Sequence, residues 1–288
     1  MRFINKIILA IFSVFLVTIF LSNKKGKTKV ELQNLRCEYL EAPIGIDTET
    51  PRFRWEIVSD RNDLKQKSFS ISVGIDSVEV SKGKGEMWQF DGENNAASLV
   101  VYTGKKLQPF TKYYWAVQIV DDKNTKSNFS LSSFETGMMQ QNNWKGSWIT
   151  DHNDISIQPA PYFRKAYPIQ KKVKKAVAYI TAAGLYELYI NGEKIGNHRL
   201  DPMYTKFDKR NLYVTYDVSK MFRKDTVTLG VLLGNGWYNH QSTAVWDFDK
   251  AAWRNRPRFL LNVRVTYEDG TVEVLKTDES WKTSLGPL

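Results

Sequence analysis

The sequence predicts an all-β protein made of two β-sandwiches in series. Three observations predict it. Short runs alternating between apolar and polar residues recur along most of the chain, without a sustained 3.6-residue period. Turn dipeptides punctuate them, above all Asn191-Gly192 and Asp269-Gly270. Aromatics are abundant, with 9 Trp and 14 Tyr in 288 residues, as cross-strand packing of sheets favours.

Residues 1–29 stand apart. Arg2 and Lys6 precede an uncharged apolar run from Ile7 to Leu21, followed by Lys24, Lys25, Lys27 and Lys29. A basic start and an apolar run shorter than the ~20 residues of a spanning helix have the form of a secretory signal. The expectation is a signal helix, either removed or kept as a membrane anchor, and export to the periplasm, the cell surface or the medium. Membrane contact is expected only through this segment. The six cations named here supply most of the net charge of +10. The remainder is mildly basic and has no Lys/Arg-dense stripe, which argues against a nucleic-acid partner. The single cysteine, Cys37, excludes an intramolecular disulfide.

The first module is read over residues 30–138. Pro51–Trp55 alternates inward Phe53 and Trp55 with outward Arg52 and Arg54. Ser68–Ile75, Leu99–Gly104, Tyr113–Asp122 and Ser130–Gly137 follow as strands. Leu107, Pro109, Thr111 and Tyr113 stand at alternate positions before the long strand, the place of a tyrosine corner whose hydroxyl bonds backbone a few residues upstream. With Trp55 in the core, the unit reads as a fibronectin type III-like sandwich. Its aromatics are expected to be core, and no catalytic constellation is visible in it.

The second module is read over residues 144–288, after a linker from Gly137 to Asn143. Trp144–Ile149 starts it and Pro161–Ile169 is an entry strand. In Lys174–Gly184, Val177, Tyr179 and Thr181 alternate against Ala176, Ala178 and Ile180. Gly184 breaks the strand, and Tyr186, Leu188 and Ile190 resume it up to the Asn191-Gly192 hairpin. Leu212–Ser219, Thr226–Gly234 and the hairpin Arg258–Asp278 complete eight or more strands without a convincing helix. A jelly-roll-like, carbohydrate-binding-type sandwich is the natural closure.

Gly234-Asn235-Gly236 leads directly into Trp237 and Tyr238, with Trp246 and Trp253 in the next loop. Glycines at a strand end permit close approach, and aromatic rings on such loops stack on sugar faces. Asn235, Trp237, Tyr238, Trp246 and Trp253 are therefore candidate ligand contacts; packing against a neighbouring domain is the alternative. Asp201, Asp208 and Asn211 offer oxygen ligands in one loop and are candidates for Ca²⁺. Turn formation explains the same residues, and Asp217 reads as a strand-end turn residue. Asp247 and Asp249 lie in a loop without an identified partner and are not read as a glycosidase pair. His152, His198 and His240 are scattered, without the spacing of a zinc site.

Leu35–Trp55 resembles the opening of bacterial α-L-rhamnosidases of glycoside hydrolase family 78. Trp144–Ile149, Gly184–Gly196, Asp201–Arg210, Tyr213–Val218 and Leu233–Tyr238 resemble the β-sandwich module that follows in those enzymes. The resemblance covers residues 32–288. It implies a rhamnose-containing glycan as ligand and a catalytic α/α toroid, carrying the acid and base, C-terminal to these modules. No residue here matches the toroid's catalytic motif, so none is carried over. The expectation is a non-catalytic N-terminal part that binds or positions glycan. A fragment packing on a separately encoded catalytic domain, and a self-sufficient glycosidase, are the alternatives. Asn239-His240 stands where the family often has a glycine.

Overall fold

The computed structural model describes residues 29–93, 99–223, 225–243 and 246–286. The expected signal segment at residues 7–21 lies outside them. No helix among the described residues is long and apolar enough to cross a membrane.

The chain is all-β, as its alternation predicts. The first module contains β1 (Val30–Cys37), β2 (Leu40–Glu41), β3 (Ile44–Ile46), β4 (Arg52–Ser59), β5 (Gln66–Gly74), the helical turn α1 (Ser77–Ser81), β6 (Trp88–Glu93), β7 (Val100–Val101), β8 (Lys112–Asp121) and β9 (Ser130–Thr136). One sheet runs β2-β1-β4-β7 and the other β3-β9-β8-β5-β6. Sequence alternation found β4, β5, β8 and β9. It missed β1, β3 and β6, and Leu99–Gly104 contributes only two residues to the ladder. The helical turn was also unexpected; its N-cap Asp76 accepts hydrogen bonds from the backbone of Val78 and Glu79 at 2.8 and 3.2 Å.

Phe53, Trp55, Phe69, Trp115 and Phe134 fill the space between these sheets. Phe53 packs on Trp115 with ring centroids 4.7 Å apart. The tyrosine corner forms: the Tyr113 hydroxyl accepts from the backbone N–H of Gln108 at 2.8 Å. Cys37 is buried in this core, and desolvation pushes its thiol well above the usual range.

The second module contains β10 (Pro161–Pro168), β11 (Val173–Ala183), β12 (Leu185–Ile190), β13 (Glu193–Lys194), β14 (Tyr213–Asp217), β15 (Thr226–Gly234), β16 (Arg258–Tyr267), β17 (Val272–Lys276) and β18 (Lys282–Leu285). Its sheets are β13-β12-β15-β10-β18 and β14-β11-β16-β17. Strands β10, β11, β12, β14, β15 and β16 take sides alternately, so sequence neighbours face each other across the core as in a jelly roll. The inward set of β12 is the predicted Tyr186, Leu188 and Ile190. The hairpin after it has φ of 55° at Asn191 and 87° at Gly192, the two positive values of a type I′ turn.

On β11 the alternation is real, but both faces are covered. Ala176, Ala178 and Ile180 face the second core. Val177 and Tyr179 pack with Met138, Phe110, Trp144 and Tyr213 in a separate cluster that joins the two modules. Every residue from Ala176 to Ala183 is therefore buried. The Lys175 ammonium pairs with Glu135 of β9 across the same junction.

Candidate functional site

The candidate residues lie at one end of the second sandwich, where β15 runs out. Gly236 has φ of 52°, a left-handed conformation that glycine adopts without strain, and it turns the chain into Trp237. The Trp237 ring is 43% exposed. It stacks on His240 with centroids 5.3 Å apart and a 23° interplanar angle, and it meets the edge of Phe248 at 5.3 Å. His240 thus backs the tryptophan.

Phe248 is the centre of the cluster. Trp246, Trp253 and Tyr204 stand around it with centroids at 5.8, 6.1 and 6.1 Å. Trp237, Trp246 and Trp253, nominated from sequence, are thus brought together, and the organiser between them was missed. Tyr204 and Phe207 were missed as well. Their only sequence signal was two aromatics in the mostly polar loop from residue 201 to 211.

Tyr238 points inward. It is 7% exposed, meets Phe207 edge-on at 5.1 Å and lies under the Arg258 guanidinium at 5.8 Å. It holds the aromatic platform from beneath. Asn235 also supports it: its amide donates to the Gln158 carbonyl at 2.6 Å, and its carbonyl oxygen accepts from the backbone of Asn239.

A ring of hydrogen bonds pins these loops to residues 151–159. Asn239 is fully buried and donates to the Ile155 carbonyl at 3.2 Å; Gln241 donates to the same oxygen at 3.0 Å. Arg256 reaches Asp151 through Nε and Nη2 at 2.9 and 2.6 Å. It also donates to the carbonyls of Ile157 and Pro159. Burial alone would push the Asp151 carboxyl up, but hydrogen bonds from Arg256 and Asn153 and the guanidinium charge leave it below the usual carboxylate range.

A cavity of about 410 Å³ opens in this end, lined by Leu185, Pro202, Tyr204, Phe207, Trp237 and His240 among others. In the segment from Phe248 to Arg258, outside the cavity lining, Asp249 Oδ1, Trp253 Nε1, Arg254 Nε and Arg258 Nε are buried without a hydrogen-bond partner on the protein. The aromatic walls of the cavity suit a ligand with apolar faces.

The carboxylate of Asp201, a candidate calcium ligand, has other partners: the Tyr216 hydroxyl at 3.2 Å and His198 Nδ1 at 3.1 Å. The Asn211 amide donates to the Phe207 carbonyl at 3.1 Å, and Asp208 is exposed. Among the described residues no group of three or more His, Cys, Asp or Glu is placed to hold a metal ion. The donor set named from sequence is thus not assembled by its acids. Asp217 accepts from Ser219 N and Oγ at 3.0 and 2.6 Å, a strand-end turn. Asp247 is exposed and pairs with Lys250 at 3.2 Å.

Fold and site define a modular β-sandwich protein whose aromatic loop cluster caps the second module. Residues 32–140 match the model of the Rha78A-like N-terminal immunoglobulin domain, and residues 171–288 that of the α-L-rhamnosidase N-terminal domain. An α-L-rhamnosidase of Formosa agariphila is 30% identical over 96% of this chain and 32% of its own length. One from an Alteromonas species is 31% identical over 85% and 28%. The structure of the α-L-rhamnosidase from Dictyoglumus thermophilum superposes with TM-score 0.79 at 36% identity, covering 89% of this chain and 30% of that one. The chain belongs to the α-L-rhamnosidase family, as the two N-terminal modules in series. It spans about a third of the length of the curated relatives it matches.

Proposed function

We propose that this chain is a non-catalytic, glycan-positioning part of an α-L-rhamnosidase-like protein, and that the aromatic loop end of its second module holds a rhamnose-containing glycan. The observation that carries this reading is the 410 Å³ cavity walled by the aromatic rings of Trp237, Tyr204 and Phe207. The exposed Trp237 ring is held from behind by His240 and Phe248, so little side-chain entropy is lost on stacking. Hydrolysis needs an acid and a base flanking the scissile bond, and Asp247 and Asp249 stand two residues apart on one short 3-10 turn, outside the cavity lining, with Asp247 paired to Lys250. Export through the segment of residues 1–29 would place the encounter outside the cytoplasm.

Calorimetric titration of the full chain with L-rhamnose, beside an aryl α-L-rhamnoside assay, tests the reading. Saturable binding that Trp237→Ala weakens about tenfold or more, with an unchanged unfolding temperature and no turnover, supports it. Binding indifferent to Trp237→Ala overturns the site, and turnover overturns the non-catalytic role.

One observation favours a second use of the same end. Leu200 and Met203 are 74% and 75% exposed, and aliphatic side chains of that exposure suit a protein face better than a sugar. On this reading the loop from residue 200 to 204 packs on the catalytic portion of a rhamnosidase. Met203→Asp, whose side chain does not line the cavity, would then weaken that association while leaving rhamnose affinity unchanged.

A further inference from the structure

The outer face of the sheet β13-β12-β15-β10-β18 carries a cleft distinct from the loop end. The strand registers place Lys194, Tyr189, Gly230, Arg164 and Lys282 in one row across five strands. The next row reads Glu187, Leu232, Tyr162 and Ser284. The alternate residues Leu188, Leu229, Val231 and Phe163 are buried in the core beneath, so both rows face outward.

Gly230 sits in the middle of the central strand, where glycine weakens a sheet. Its backbone does not demand glycine. Its φ is not in the left-handed region, and an added Cβ would find its nearest neighbour, the Tyr189 Cβ, at an ordinary 3.6 Å. What its missing side chain does is leave the floor open. A cavity of about 590 Å³ lies over it, lined by Tyr162, Arg164, Tyr189, Leu232 and Lys282 among others. A glycine kept in a strand without a conformational need marks a place where something approaches the backbone closely.

The charges narrow what approaches. Arg164 and Lys282 stand directly opposite each other on adjacent strands, an arrangement that is destabilising when unpartnered. Neither forms an ion pair among the described residues. The nearby acid, Glu187, is already taken: it accepts from the Tyr189 hydroxyl at 2.7 Å and pairs with Lys194. That network fixes the Tyr189 ring and leaves the β10–β18 side of the cleft positive. The cleft lies on a sheet face, where the backbone donors and acceptors are spent in the ladders. Recognition there falls to side chains, unlike the edge pairing that captures peptides.

We propose that this cleft is a binding subsite for an acidic saccharide. A sugar ring rests over Gly230 and Leu232 between the Tyr162 and Tyr189 rings, and its carboxylate or sulfate bridges Arg164 and Lys282. The site goes beyond the loop-end reading and does not depend on it.

The test titrates the full chain with trigalacturonate and, as the neutral control of equal length, maltotriose. Trigalacturonate is expected to bind saturably, at least about tenfold tighter than maltotriose, and more weakly as salt rises. Arg164→Gln and Gly230→Leu are each expected to lower that affinity about tenfold or more without moving the unfolding temperature, and Trp237→Ala to leave it unchanged. If Gly230→Leu disturbs folding, Arg164→Gln decides. Absent saturation by trigalacturonate, equal binding of maltotriose, or affinity indifferent to Arg164→Gln overturns the proposal. Loss of rhamnose binding with trigalacturonate binding intact removes only the loop-end site.

Discussion

The Tyr213 hydroxyl of the second module donates a hydrogen bond to the Asp47 carboxylate of the first at 2.6 Å. The same hydroxyl accepts from the backbone N–H of Met138 at 3.1 Å, and Asp47 accepts from Met139 N at 2.8 Å. Three segments from two modules meet on this one pair. Around it, Trp144 stands edge-on to Tyr213 at 5.5 Å and Phe110 edge-on to Tyr179 at 5.6 Å. The junction is thus a small apolar cluster closed by a polar clasp.

Removing the clasp should loosen the junction without unfolding either sandwich. Tyr213→Phe keeps the ring packing but leaves Asp47 and the Met138 N–H each short of a partner, a loss of about 1–3 kcal/mol. Limited proteolysis of the segment from residue 138 to 146 should accelerate. An unchanged cleavage rate would show that the clasp does not hold the modules together.

The Arg256–Asp151 pair should be the most sensitive polar contact of the second module. Both side chains are 3% exposed, so cutting one partner strands a buried charge at a cost of about 3–5 kcal/mol. Arg256→Met and Asp151→Asn should each lower the unfolding temperature, and the loop end should lose its order first, because this pair anchors residues 151–159 beneath it.

The same carboxyl makes a pH prediction. The folded-state pKa of Asp151 lies below its ordinary value, so its contribution to stability is complete above the unfolded pKa of roughly 3.9. That contribution is lost as pH falls through the folded value. Acid unfolding of the native chain should therefore be steeper than that of Asp151→Asn when both are followed by tryptophan fluorescence below about pH 4.

Two glycines in the same module should respond oppositely to alanine. Gly184 has φ of 111°, and an added Cβ would lie 2.5 Å from the Gly234 carbonyl oxygen. Gly184→Ala should cost about 2–4 kcal/mol, since neither backbone can yield without breaking the β12–β15 register. Gly230→Ala should be neutral or slightly stabilising. Comparable losses in denaturant melts of the two variants would show that the Gly230 position is strained after all.

Calcium should leave the unfolding temperature unchanged, because the Asp201 carboxylate is engaged by Tyr216 and His198. Stabilisation by Ca²⁺ that Asp201→Asn abolishes would restore the loop as a metal site.

Much of the fold was legible because its signals are local. Period-two alternation marked Phe53 and Trp55, and Tyr186, Leu188 and Ile190, as inward. The Asn191-Gly192 dipeptide marked its own turn, and the spacing before Tyr113 marked the corner. The strands that escaped, such as β6 with its exposed Gln89, Phe90 and Asp91, lack a clean apolar face. The helical turn after Asp76 is too short to show a period.

The sequence by itself therefore determined the all-β class, the order of the two modules and the loop on which the tryptophans cluster, since side-chain direction and turn chemistry are properties of a few neighbouring residues. Only the tertiary structure decided which residues meet. It turned Tyr238 inward, set Phe248 between Trp237, Trp246 and Trp253, buried both faces of β11, and aligned Arg164 with Lys282 beside Gly230. Apart from the Phe248 cluster, which a single loop folds on itself, those meetings join segments tens to more than a hundred residues apart, and they are fixed by strand register and sandwich closure, which no local pattern records.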